Sequence, residues 1–171
     1  MRSKIVNGIA SSYYGVSNVG AAIHRSKYEN GGDFPDFLLI LTLRAFRKRY
    51  GDELFDLLVY VPPTKSGDLV KVFAEKISRK LKIPISYDLV KSRITEEQKV
   101  FENSTLKNDN VKDAFSFRVP AEISGKKILL IDDVFDSGAT IKEIGRYFSN
   151  LGAEKIAPLV IAKTVGGDLH D

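Results

Sequence analysis

Lys126-Lys127-Ile128-Leu129-Leu130-Ile131-Asp132-Asp133-Val134-Phe135-Asp136-Ser137-Gly138-Ala139-Thr140 decides how this chain is read. Ile128 to Ile131 is a run of branched apolar residues, the pattern of a strand buried on both faces. It gives way at once to two adjacent carboxylates and then to a small, hydroxyl-rich turn that opens a helix. That order places two negative charges and a set of free backbone N–H groups at the carboxyl end of one strand, the usual ligand position in an open α/β sheet. Successive strand side chains point to opposite faces. Asp132 and Asp133 therefore share a pocket only if the backbone has begun to turn, which Val134-Phe135 allows.

Two neighbouring carboxylates raise one another's pKa unless a cation or hydroxyl donors relieve them. A phosphorylated sugar held with Mg²⁺ meets both demands, since Mg²⁺ takes oxygen ligands shared with phosphates. Asp136-Ser137-Gly138-Ala139-Thr140 then offers N–H groups at a helix N-terminus. Gly138 permits a positive φ and a close approach, and the helix dipole favours an anion. Singly, Ser137 or Thr140 is a helix cap and a pair of acids is turn polarity. In sequence behind a four-residue apolar strand they point to a phosphate cradle.

Outward from this stretch the pattern is α/β. Asp36 to Tyr50 reads as a helix with Phe37, Leu38, Leu41 and Ala45 on one stripe, ended by Gly51. Leu54 to Val61 is a short buried strand, stopped by Pro62-Pro63, and Thr64-Lys65-Ser66-Gly67 is a tight turn. Asp68 to Leu81 is an amphipathic helix that Ser66 or Asp68 can cap. Ile83 to Val90 is a strand, and Lys91 to Lys112 a long polar stretch of the kind that is functional or mobile in compact domains. Ala114 to Val119 alternates like an edge strand, Ala139 to Leu151 is a helix with Gly152 as its C′ residue, and Ile156 to Ala162 is a last strand. The order implies right-handed crossovers and a mostly parallel sheet. The segment before Asp36, with Tyr13, Tyr14, Tyr28 and a Gly31-Gly32 turn, is expected to lie irregularly over the sheet edge.

At 171 residues, 43% of them hydrophobic, the chain has the length of one domain and enough apolar surface for a core. No run is long and apolar enough to cross a membrane; Phe37 to Leu43 is short and Arg44 follows. Met1-Arg2-Ser3-Lys4 precedes no secretory apolar region, and without cysteine there is no disulfide or thiolate zinc site, which fits the cytoplasm. His24 and His170 are too far apart to suggest a metal cluster. The net charge of +4 is that of an ordinary lysine-rich surface, or of a protein that meets a polyanion.

Four apolar residues, two acids, two residues and then Asp-Ser-Gly-Ala-Thr resembles the signature of the type I phosphoribosyltransferases. The resemblance implies their fold: a mostly parallel central sheet flanked by helices with a small N-terminal hood, residues 1–35 forming the hood and 36–171 the core. It implies that Asp132 and Asp133 hold the ribose hydroxyls of phosphoribosyl pyrophosphate (PRPP) and meet Mg²⁺, directly or through PRPP and water. Asp136, Ser137, Gly138, Ala139 and Thr140 would take the 5′-phosphate, and Thr64, Lys65, Ser66 and Gly67 the pyrophosphate. Arg93-Ile94-Thr95-Glu96-Glu97-Gln98 followed by Asn110-Val111-Lys112-Asp113-Ala114-Phe115 is similar to the flexible loop of the competence-protein-F (ComF-like) branch. Tyr60 to Asp68 also looks like domains attached to RecQ-type helicases. The Gln98–Asn110 spacing is longer than in that branch, and the cysteine-rich zinc module that usually precedes it is lacking.

By the same resemblance the catalytic groups are Asp136, Lys65 and Arg93, with Lys91, Lys99 and Lys107 on a loop that closes over pyrophosphate. Lys163 resembles the purine-contacting lysine of the hypoxanthine-guanine enzymes, and His24, Tyr28 and Asp33 are candidates for covering the base. The expected partners are PRPP and a nitrogenous base, with a second copy of the chain and a nucleic acid or helicase beyond them. Transfer of phosphoribosyl to the base is one reading; a non-catalytic PRPP-sensing or DNA-processing module is another. An unrelated nucleotide-binding domain is disfavoured, because Gly-x-Gly-x-x-Gly and Gly-Lys-Ser/Thr loops are missing.

Overall fold

Strand β6, Lys127–Phe135, is the axis of the molecule. In the computed structural model, which describes residues 4–14, 17–29, 33–63, 67–92 and 112–164, its Ile128, Leu129, Leu130 and Ile131 are wholly buried. The branched run can be buried because helices cover both faces of the strand. On one face Leu129 and Ile131 join Leu58, Leu159 and Ile161 with residues of α1 (Asn18–Tyr28), α2 (Asp36–Tyr50) and α3 (Leu69–Leu81). On the other, Ile128 and Leu130 pack with Ile141, Ile144 and Phe148 of α4 (Ala139–Asn150). Each such aliphatic side chain contributes roughly 1.5–3 kcal/mol by leaving water.

The main sheet has the order β1-β7-β6-β2-β3, with β1 at Ile9–Tyr14, β2 at Leu57–Tyr60, β3 at Ile85–Ser86 and β7 at Lys155–Thr164. Every neighbouring pair is parallel. β4 (Leu89–Lys91) and β5 (Phe115–Phe117) form a separate antiparallel ribbon, and a short 3-10 turn at Pro120–Ile123 leads into β6. The predicted strand at residues 83–90 is thus two strands in two sheets, and the predicted edge strand at 114–119 is a shorter ribbon strand.

Three expectations change. Asp132 to Phe135 do not leave the sheet: they continue β6, pairing Asp132 with Val160, Val134 with Ala162 and Phe135 with Lys163. The segment before Asp36 is regular: β1 is the edge strand beside β7, and Val19, Ala22 and Ile23 of α1 lie in the core shared with α2 and α3. Asp68 stands at the N-cap of α3 but makes no side-chain capping bond.

Pro158 lies inside β7, where a missing N–H would interrupt a ladder. The N-terminal chain bonds to Ile156 through Lys4 O and Val6 N and rejoins β7 as β1 at Ile9 beside Leu159. Between these points Gly8 passes so close that a Cβ there would stand 2.6 Å from Pro158 O. The Pro158 carbonyl is satisfied instead by the Tyr50 hydroxyl, which donates to it at 2.7 Å.

Candidate functional site

The connections define where a ligand crevice opens. β2 continues through α3 to β3 on one side, while β6 continues through α4 to β7 on the other, and β2 and β6 are neighbours. A doubly wound sheet gapes at the carboxyl ends of two such strands. The Val61 N–H donates to Ile131 O at 2.9 Å, so Pro62-Pro63 leave β2 beside the two acids. Of the turn expected to follow, Thr64, Lys65 and Ser66 lie outside the described residues; Gly67 has φ +59° ahead of α3. Arg93, Lys99 and Lys107 lie outside them as well.

Because the strand runs on through both carboxylates, they have different surroundings. Asp133 is buried, and its Oδ2 meets Lys27 Nζ from α1 in an ion pair. Its Oδ1 accepts the Val134 N–H at 2.7 Å. Asp132 Oδ1 accepts the Asp133 N–H at 2.8 Å. Burial and then the charge of Asp133 push Asp132 up to about 8, far above the usual carboxylate range, against the opposing pull of Lys27. Burial works against the Lys27 charge, but the attraction and hydrogen bond of Asp133 outweigh it and raise its pKa. Lys91, at the end of β4, is held below the ordinary lysine value by burial, while Asp132 pulls it the other way.

Beyond the acids the backbone turns sharply. Gly138 has φ +74° at the N-cap of α4, and a Cβ there would stand 2.6 Å from the Phe135 ring. Only glycine fits both demands. Ser137 Oγ accepts the Ala139 N–H at 3.3 Å. The remaining N–H groups of a first helical turn lack intrahelical acceptors. The Thr164 hydroxyl donates to Asp136 Oδ1 at 2.9 Å, and Lys163 Nζ stands 5.9 Å from the centre of the Phe135 ring. The ends of β6 and β7 thus bring Asp132, Asp133, Asp136, Ser137, Gly138, Ala139, Thr140 and Lys163 together.

His24 and Tyr28 lie at the exposed end of α1. Their rings are 5.0 Å apart, and His24 Nδ1 lies 3.2 Å from Glu29 Oε1. Asp33 ties to Lys76 of α3 at 2.5 Å and accepts the Phe34 N–H. Lys27 is the site residue that the sequence reading missed. Its signal was a lysine four positions after Ile23, on the stripe of Val19, Ala22, Ile23 and Ser26 that α1 buries. Phe135, the ring beneath Gly138, was also missed, since its role depends on a three-residue turn.

Residues 61–169 match the family model of the phosphoribosyl transferase domain, and the chain belongs to that family as a type I, ComF-like member. It is 28% identical over 127 residues to competence protein F of Haemophilus influenzae, covering 70% of this chain and 55% of that protein. It is 26% identical over 153 residues to the DNA utilization protein YhgH of Escherichia coli, covering 84% of this chain and 66% of the relative. The chain therefore spans less than two thirds of either relative's length. Two solved structures share the fold: a hypoxanthine-guanine phosphoribosyltransferase of Bacillus anthracis (TM-score 0.52, 19% identity, 80% of this chain and 72% of that one) and a purine phosphoribosyltransferase of Pyrococcus horikoshii (TM-score 0.51, 15% identity, 82% of each). Among the described residues, no helix is long and apolar enough to cross a membrane.

Proposed function

We propose that the chain binds PRPP at the carboxyl ends of β2 and β6 and transfers its phosphoribosyl group to a nitrogenous base. The observation that carries this reading is the juxtaposition, at a topological switch point, of two carboxylates and a glycine-shaped helix N-terminus. The carboxylates accept ribose hydroxyls, and the turn from Asp136 to Thr140 receives the 5′-phosphate. The C1–O bond to pyrophosphate breaks, a base nitrogen bonds to C1, and the base gives up its proton. Asp136, steadied by Thr164, is the group proposed to receive it. Lys65 and Arg93 are proposed to neutralise the leaving pyrophosphate, with Thr64, Ser66 and Gly67 binding it.

Mg²⁺ suits this oxygen-rich site. Asp133 is already paired with Lys27, and the described residues form no cluster of three or more potential ligands. The chain would share the ion with pyrophosphate through Asp132 and Asp133, directly or through water, rather than cage it. When bound, the ion supplies positive charge for pyrophosphate departure. Lys163, paired with Phe135 on the neighbouring strand, is the proposed base contact.

Calorimetric titration with PRPP and Mg²⁺, followed by a screen of purines and pyrimidines for pyrophosphate release, tests the reading. Binding is expected, with release for at least one base. No binding at millimolar PRPP would sink it. Binding without turnover would favour a sensing module, a second reading supported by the relatives named for competence and DNA utilization and by the cationic last turns of α2 and α3.

A further inference from the structure

Asp132 and Asp133 are adjacent in sequence yet unequal in their bonds. Both oxygens of Asp133 are engaged, Oδ1 by the Val134 N–H and Oδ2 by Lys27, and its side chain is only 9% exposed. Asp132 accepts the Asp133 N–H at Oδ1 and feels the charges of Lys27 and Lys91. Lys27 itself is 16% exposed, on a helix fixed in place by Val19, Ala22 and Ile23 in the core and by a Ser17 N-cap bond to the Gly20 N–H. An ion pair this buried gains little stability over apolar residues of the same size, so its presence needs a reason beyond packing.

We infer that Lys27 is a positioning residue of the ribose site: it holds Asp133 in place, so that Asp132 is the carboxylate that accepts the sugar hydroxyls. This rests on the PRPP reading and divides the labour within its acidic pair. Lys27 satisfies one carboxylate from outside the motif and keeps it from competing for the ligand. The N-terminal segment thereby becomes part of the site, through a helix that touches the acidic strand.

The test compares ribose 5-phosphate with its 2,3-dideoxy analogue, so that the diol is measured apart from the phosphate. Affinities are read by calorimetry for the unaltered protein, Lys27→Met, Lys27→Arg and Asp132→Asn. Lys27→Met is expected to weaken ribose 5-phosphate by about tenfold, the size of one hydrogen bond to a charged group, and to leave the dideoxy analogue unchanged. Lys27→Arg should restore most of the diol preference, and Asp132→Asn should abolish it. A Lys27→Met protein that keeps the diol preference, or loses affinity for both sugars equally, overturns the inference. Should Lys27→Met fail to fold, Asp133→Asn, which frees Lys27 without removing it, must lower the diol preference less than Asp132→Asn does; the reverse order overturns the inference. Failure of the unaltered protein to bind either sugar phosphate would instead overturn the PRPP reading beneath it.

Discussion

At Gly138 two independent constraints act on one residue. A φ of +74° costs an L-residue about 1–2 kcal/mol, and a Cβ would press on the Phe135 ring at 2.6 Å. Gly138→Ala should lose roughly 1–3 kcal/mol in urea unfolding and also PRPP affinity, because relief of the clash moves the phosphate turn. Adding Phe135→Ala separates the causes: stability returned by the second change measures the clash, and the remainder measures the backbone. Tyr50 offers a second test. Its hydroxyl serves the Pro158 carbonyl, so Tyr50→Phe should cost about 1 kcal/mol. Burial, chiefly, pushes Tyr50 up to about 12. The unfolded tyrosine ionises near pH 10 while the folded one stays neutral, so its contribution is complete below pH 10 and declines as pH rises towards 12. The Phe variant should lack that alkaline loss; an equal loss in both proteins would place its origin elsewhere.

At the scale of elements, the start of α4 forms the proposed phosphate turn while its middle is fastened to the β4–β5 ribbon. Glu143 Oε1 accepts the Asp113 N–H at 2.8 Å, Arg146 bonds both Asp113 and Glu143, and the Tyr147 hydroxyl accepts the Phe117 N–H at 3.0 Å. Arg146, hydrogen-bonded to Glu143, holds that carboxyl below its ordinary value. A depressed carboxyl contributes stability above its unfolded pKa of 4.5, and the contribution is lost as pH falls through the lower folded value. Arg146 is half-exposed, so Arg146→Ala should cost under about 1 kcal/mol at pH 7, and the deficit should vanish in acid. Hydrogen exchange should quicken at the ribbon amides while those of β6 stay protected; uniform acceleration would mean that the clamp is not local.

The same elements show what a sequence can carry. The ends of α2 were legible, because Gly51 with φ +59° stops it, but its buried face is Leu38, Leu39, Thr42, Phe46 and Tyr50 rather than the expected stripe, and Phe37 is exposed. The end of β6 was not, because carboxylates look like turn polarity unless the ladder with β7, across the α4 crossover, is known. β1 was missed for a similar reason: Ile9-Ala10-Ser11-Ser12-Tyr13-Tyr14 has no strong period of its own, and its partner β7 lies far along the chain. Within the candidate site, the adjacent acids and the Gly138 turn are contiguous in sequence and so could be read from it. Lys27 reaches Asp133 only through the fold.

At the scale of the whole molecule, the proposed site and the cationic last turns of α2 and α3 lie at opposite ends of the strands. The proposed PRPP site lies at the carboxyl ends of the strands, whereas α2 and α3 run back to the amino ends before β2 and β3 begin. Their last turns carry Arg47, Lys48 and Arg49 and then Arg79 and Lys80, with Lys82 just beyond. Arg49 is engaged with Asn7 O, while Arg47, Lys48, Arg79 and Lys80 are exposed. Cations at helix C-termini complement the dipole, which accounts for some of them without a partner. The exposed cations in these last turns nevertheless suit a phosphate backbone, so the proposed sensing reading has a surface on which to be tested. If it does act there, single-stranded DNA binding should weaken steeply with salt. Changing Arg47, Lys48, Arg79 and Lys80 together to Ala should then reduce the log–log salt slope by up to about 3, at about 0.7 for each phosphate no longer neutralised. PRPP affinity should be untouched, because the proposed site is at the opposite end of the sheet. DNA binding that survives the fourfold change with its slope intact would remove this edge from consideration, and loss of PRPP affinity would show that the two ends of the sheet are not independent.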